Sequence, residues 1–253
     1  MLFPIGDDNS DRQTTPYVNY LLIAINILVF FFLQGMGENT RFTYAYSTVP
    51  EEIITGHDVV TSDRVATDPV SGDRFQVPGL QRTPIPVFLT LLTSMFMHGG
   101  FAHILGNMLY LWIFGDNVED AVGHIRYLIF YLVCGIIASL SQVFATAEFG
   151  GDTLVPSLGA SGAISGVLAG YLILFPRKRV YVLFFRFIQP VPALAAIGLW
   201  FLFQLVSGIG MFGQGSQGGG VAYAAHIGGF IAGLVLIKLF AAGGQPARPA
   251  MQG

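Results

Sequence analysis

Charged side chains are scarce in this sequence. Asp, Glu, Lys and Arg make up 11% of its 253 residues, against about a quarter in an ordinary soluble domain. Apolar side chains make up 53% and mean hydropathy is +0.63. That balance excludes a conventional soluble fold and predicts a polytopic membrane protein. Cysteine occurs once, at Cys134 within an apolar run. A lone thiol excludes an intramolecular disulfide and a structural zinc site built on cysteines. The 12 basic and 15 acidic residues give a net charge of −3 and lie mostly outside the apolar runs, so no footprint for nucleic acid is present. No His, Asp or Glu cluster has metal-ligand spacing, and HILGN is not an HExxH zinc helix; no metal or cofactor is expected. The first sixteen residues carry three aspartates and one arginine, without the basic region of a cleavable signal peptide. The apolar run after them therefore reads as a retained first transmembrane helix.

Spanning a bilayer takes roughly 20 apolar residues, fewer where neighbouring helices shield the ends. Six stretches qualify: Tyr17 to Leu33, Phe101 to Phe114, Ile125 to Ala147, Ser161 to Phe175, Pro192 to Met211 and Val221 to Phe240. The second and fourth are short and Gly-rich, as befits central helices surrounded by protein. The expected fold class is all-α, a six-transmembrane-helix bundle. A tail over 1–16 precedes a membrane domain over 17–241, and a short tail over 242–253 follows. Between the first two spans, 37–86 forms a polar extramembrane loop with seven acidic residues and four arginines; its turn signals allow a small hairpin. PRKRVYVLFFRFIQP, between spans four and five, mixes basic and bulky apolar residues and is expected to lie along the membrane surface. The charge-free GQGSQGGG before the last span reads as a linker or a flexible cap.

Basic residues set the orientation. Arg177, Lys178 and Arg179 follow the fourth span, and eight basic residues fall on their side of the membrane against four, all in the long first loop, on the other. Both termini are then cytoplasmic, and spans two, four and six begin at the outer face. His103 and Asn107 near the start of span two, Ser161 at the start of span four and His226 near the start of span six come to a similar depth below that face.

Polar groups in a bilayer are costly unless paired or facing water, and so suggest a functional site. A serine needs a base to take its proton, and histidine is the usual one; Ser161 with His226 supplies that pair. With no carboxylate inside the helices to orient the histidine, a Ser/His dyad is the economical reading. His103 and Asn107, at i and i+4 on one helix face, can donate to a developing oxyanion together with the Ser161 backbone N–H, or can form a structural network with the first loop. Gly159 and Gly162 would let substrate backbone approach closely. The bland reading of Ser161 is packing, since Gly162, Gly166 and Gly170 form a close-contact face; a histidine at matching depth favours the nucleophile. His98 reads as structural, and His57 and His124 as solvated or interfacial.

The run HGGFAHILGNMLYLWIFGDNVED, then GASG, then AHIGGFIAG, resembles the rhomboid family of intramembrane serine proteases. The resemblance covers about Val87 to Phe240 plus the first helix. It implies Ser161 as nucleophile, His226 as general base, and His103 and Asn107 in the oxyanion hole. Gly229 and Gly233 match the family's closing GxxxG, which implies that the sixth span packs against the fourth. The chain departs from the family in two places. PVFLTLLTSMF lacks a Trp-Arg pair common in the first loop, and Ser165 stands where bacterial relatives often have a tyrosine stacked on the histidine. The expected function is an intramembrane serine endopeptidase in the cell membrane, cutting transmembrane segments of single-pass membrane proteins, with membrane lipid as its other partner. An inactive rhomboid-like client-binding protein is the alternative. A transporter is disfavoured, because LYLWIF and LAGYLILF, the lower halves of spans two and four, are apolar.

Overall fold

The computed structural model describes residues 3–67, 72, 74–212 and 222–242. GQGSQGGG and most of the C-terminal tail lie outside the described residues. Among those described, six helices of twelve residues or more stand where the six apolar stretches were read. They are α1 (Tyr17–Leu28, continued by a π-helical turn over Val29–Leu33), α5 (Phe101–Val122), α6 (His124–Glu148), α7 (Ser161–Leu174), α8 (Ala193–Phe212) and α9 (Tyr223–Ala241). By length and composition α6 and α9 can each cross a membrane. The bent pair Val87–Phe96 and Phe101–Val122, at 81°, adds a third if it counts as one span. The apolar helices Tyr17–Leu33, Ser161–Leu174 and Ala193–Gly208 are shorter.

The centre of the bundle is built on small residues. α7 is buried from Gly162 to Tyr171, enclosed by α5, α6 and α9. A Cβ on Gly229 would lie 2.0 Å from the Gly162 carbonyl oxygen, and one on Gly233 2.3 Å from that of Gly166. The expected packing of the sixth apolar helix on the fourth is therefore present, backbone against backbone. Gly162 faces Ala138 of α6, whose Cβ would sit 2.6 Å from its own. Gly162 thus serves helix packing while also lining the cleft beside Ser161. α5, α7 and α9 begin at one end of the bundle, and α6 runs back between them.

α5 is eight residues longer than the apolar stretch that announced it, and Asp116, Glu119 and Asp120 lie within it, contrary to the reading of helices free of carboxylates. They are tolerated because the N-terminal segment is folded onto them. Asp116 pairs with Arg12 at 2.7 Å. Glu119 accepts the backbone N–H groups of Val18 and Asn19 at 3.0 and 2.7 Å, so a buried carboxylate caps the positive end of α1. Asp120 accepts from the Thr14 N–H and hydroxyl. A single residue, Gly123 at φ +86°, turns the chain from α5 into α6; a left-handed backbone at this hinge requires glycine. His124, read as solvated or interfacial, is half-buried and bonds Glu119, whereas His57 is exposed, its ring bonded to the Thr55 carbonyl.

The all-α expectation misses a small sheet at the far end. The basic stretch after α7 folds into a hairpin, β4 (Arg179–Phe184) and β5 (Phe187–Pro192). The tail supplies β1 (Phe3–Asp7), antiparallel to β4. Lys178 bridges Asp11 and Asn117, and Asp7 accepts from the Asn117 amide and the Tyr171 hydroxyl, both at 2.7 Å. Burial pushes the Asp7 carboxyl up to about 7. The described part of the first loop holds α2 (Thr40–Tyr46), α3 (Pro50–Thr55) and the expected antiparallel pair β2 (Arg64–Thr67) and β3 (Arg74–Val77), and the short α4 (Thr90–Thr93) flanked by 3-10 turns follows it.

Candidate active site

Ser161 is the first residue of α7, so its N–H and those of the next two residues have no partner in their own helix and point out of its positive end. The chain before it is held in place by the first loop. Ser157 and Thr48 exchange backbone hydrogen bonds of 2.7 and 3.0 Å, and the Gly159 N–H donates to the Ser94 carbonyl at 2.9 Å. Gly159 sits at φ +125°, and a Cβ there would lie 2.9 Å from Cε1 and Nε2 of His103. Glycine is needed both for the backbone angle and for the closeness of the imidazole.

Three helices meet at this turn. His226, four residues into α9, places Nε2 2.8 Å from Ser161 Oγ. The two residues are 65 apart in sequence, and the small-residue contact of α7 with α9 sets their spacing. The other ring nitrogen, Nδ1, is 2.8 Å from Oε1 of Gln204 on α8. A side-chain carbonyl can only accept, so Nδ1 carries the proton and Nε2 presents its lone pair to the serine hydroxyl. This is the arrangement in which imidazole can remove a hydroxyl proton. Where relatives often carry a tyrosine on the serine helix, Ser165 is fully buried and donates to the Ser161 carbonyl at 2.7 Å. The rings beside His226 come instead from Trp200, with centroids 6.0 Å apart, and Tyr223, at 6.5 Å.

His103 is oriented by its own loop. The Gly99 N–H donates to its Nδ1 at 3.2 Å, which leaves the proton on Nε2, the edge that faces Gly159 and the serine turn. Asn107 is buried one turn further along α5, with one amide hydrogen given to the His103 carbonyl at 3.0 Å. The pair thus serves local structure and also turns a donor toward Ser161. His98 is fully buried. Its backbone N–H and carbonyl are clasped by the Gln34 amide at 2.9 Å each, in keeping with a structural residue, and its ring lies edge-on to His103 at 5.1 Å. A small cleft beside Ser161 is lined by Ser94, Ser139, Ser157, Gly159 and Ala225.

All four residues singled out in the sequence fall at one end of the bundle, with Ser161, His226 and His103 around one turn. Gln204 was not anticipated. Its signal was present as the one polar side chain in LWFLFQLV, an amide amid apolar helix, which by the cost of burying polar groups had to have a partner.

A family model for the rhomboid domain matches residues 87–243. The chain is similar to Rhomboid protein 1, mitochondrial, of Saccharomyces cerevisiae, with 31% identity over 156 residues that cover 62% of this chain and 43% of the yeast protein. It is similar to Presenilin-associated rhomboid-like protein, mitochondrial, of Homo sapiens, with 33% identity over 123 residues, 44% of this chain and 31% of the human one. Rhomboid protease GluP of Bacillus subtilis is 32% identical over 167 residues, 64% of this chain and 26% of its own. The chain therefore spans less than half the length of these relatives. With the domain match extending over more than half of its residues, the chain belongs to the rhomboid family.

Proposed function

We propose that this protein is an intramembrane serine endopeptidase that cuts transmembrane segments of single-pass membrane proteins, with Ser161 as nucleophile and His226 as general base. The family supports the class, since rhomboid proteins are generally intramembrane serine proteases. The observation that carries the reading is the 2.8 Å contact of His226 Nε2 with Ser161 Oγ, made between two helices that have no other need of a polar pair at that depth.

In this reading all six long helices cross the membrane. α7 is short because it is walled by protein on all sides, and α1 reaches the needed length with its π-helical turn. Large apolar side chains exposed on the other helices, such as Leu105, Trp112, Phe144, Val206 and Val235, face lipid. The basic cluster Arg177, Lys178 and Arg179 puts the sheet end on the cytoplasmic side of a cell membrane, and the serine opens toward the outer side.

The substrate helix must unwind locally, because its carbonyls are otherwise held in internal hydrogen bonds; Gly, Ala or Pro near the cut eases this. Ser161 Oγ attacks the exposed carbonyl carbon as His226 Nε2 takes its proton. The tetrahedral oxyanion is met by the Ser161 N–H, the positive end of α7 and donors from His103 Nε2–H and Asn107, each donor worth roughly 3 to 4 kcal/mol in a dry site. Collapse breaks the C–N bond as His226 protonates the leaving amine. Water, deprotonated by the same imidazole, then releases the acyl group from the serine.

The test is cleavage of a single-pass reporter in liposomes by wild type, Ser161→Ala and His226→Ala, each checked for folding. Cleavage by wild type alone supports the reading. Equal behaviour of all three across several reporters returns Ser161 to the packing face and favours an inactive client-binding protein.

A further inference from the structure

His226 presents two problems to a dyad. A neutral imidazole carries one proton on either nitrogen, and only with Nε2 bare can it accept from a serine. The ring must also not swing about its Cβ–Cγ bond. In soluble serine proteases a buried carboxylate answers both, and replacing it by an amide of the wrong polarity costs about 10⁴-fold in kcat. Here the carboxylates of α5 lie at the opposite end of the bundle, more than ten residues along the helix from His103. What faces Nδ1 is Gln204 Oε1, at 2.8 Å, on a side chain only 6% exposed.

Gln204 and Trp200 are i and i−4 on α8, hence on one face, and both bear on the His226 ring. α8 thus supplies an acceptor for the ring's edge and an aromatic neighbour for the ring, although it carries neither the nucleophile nor the base. We propose that Gln204 is a positioning residue for this active site, a neutral third member of the Ser161–His226 relay that holds His226 in the Nδ1–H tautomer and aims Nε2 at the serine. The proposal rests on the protease reading above. It also makes the competence of the base depend on α8 lying against α9, since displacement of α8 carries the acceptor away. A neutral acceptor aims the ring while giving the imidazolium less support than a carboxylate would.

Two variants separate the acceptor from mere packing. Gln204→Met keeps the volume and removes the carbonyl; Gln204→Glu keeps an acceptor at the same reach. Full-length protein in liposomes is measured three ways: kcat and KM on a reporter helix, the rate of Ser161 phosphonylation by a small fluorophosphonate, and the imidazole ¹⁵N shifts of selectively labelled histidine. Gln204→Met is expected to lose about 10- to 100-fold in kcat, the range for a lost buried hydrogen bond, with KM nearly unchanged. Phosphonylation should slow in parallel, and the His226 Nδ1–H signature should disappear. Gln204→Glu should keep that signature and restore kcat to within about tenfold of wild type. Wild-type kcat in Gln204→Met overturns the proposal, as does equal damage by both variants in folded protein, which would assign the effect to packing. A wild type that neither cleaves nor reacts with the probe overturns the protease reading instead. In that case the ¹⁵N shifts still decide whether Gln204 sets the His226 tautomer.

Discussion

Replacing Gly229 by alanine tests whether helix contact sets the chemistry. The added Cβ would stand 2.0 Å from the Gly162 carbonyl oxygen, where carbon and oxygen need about 3.3 Å. That oxygen is backbone of a buried helix and cannot rotate away, so α9 must move from α7 by about 1.3 Å or both must distort. His226 lies three residues before Gly229, and Ser161 immediately before Gly162. Their 2.8 Å hydrogen bond would stretch toward 4 Å, beyond any useful geometry. Overpacking of this kind costs about 1 to 3 kcal/mol in stability, and a misplacement of about 1 Å at reacting atoms costs on the order of 100-fold in rate. The same molecule supplies a control. A Cβ at Gly198 meets nothing within 4 Å. The assay is the fluorophosphonate reaction rate at Ser161 beside a thermal melt in detergent. Gly229→Ala should melt lower and react about 100-fold more slowly, and Gly198→Ala should match wild type. A Gly229→Ala protein reacting at the wild-type rate would refute the claim that this contact sets the serine–histidine distance.

Gly159→Ala should reduce cleavage about tenfold or more, because φ +125° strains any L side chain and the new methyl would press on His103 2.9 Å away; kcat on a reporter helix reads it. Ser165→Ala should leave kcat within about twofold of wild type, since its hydroxyl bonds only the carbonyl of its own helix, a contact worth little to a helix; a large loss would show that Ser165 reaches the chemistry. Asp7 gives a pH dependence of known sign. Its carboxyl titrates near 7 when folded against 3.8 in a free chain, so its contribution to stability is fully present below about pH 4 and is lost as pH rises through about 7. Wild type should lose melting temperature between pH 5 and pH 8 relative to Asp7→Asn, and a constant difference between the two would show that Asp7 is not buried against Asn117 and Tyr171.

How much of this molecule could be read from its sequence follows from how local each cause is. The long apolar helices start within a few residues of their apolar runs, because hydropathy is a property of the run itself. Ser161, His103 and His226 were legible because each sits near the start of an alternate run, where depth follows from counting. The end of α5 was not legible: Asp116, Glu119 and Asp120 read as the close of an apolar segment, and they continue the helix only because Arg12, Thr14 and the first turn of α1, a hundred residues away, satisfy them. The sheet was hidden for the same reason, since β1 acquires its partner from β4 across the whole bundle. Gln204 lies between these cases. Its burial was foreseeable from the apolar run around it, its partner was not, and an amide forced to find an acceptor or donor among apolar helices has few choices. That the partner is the unused nitrogen of His226 ties α8 to the serine through a single hydrogen bond. The glycine contacts of α7 and α9 fix how far apart Ser161 Oγ and His226 Nε2 lie, whereas Gln204 decides which histidine nitrogen is bare. Distance and tautomer are therefore set by different helices, and a variant that disturbs one should leave the other measurable.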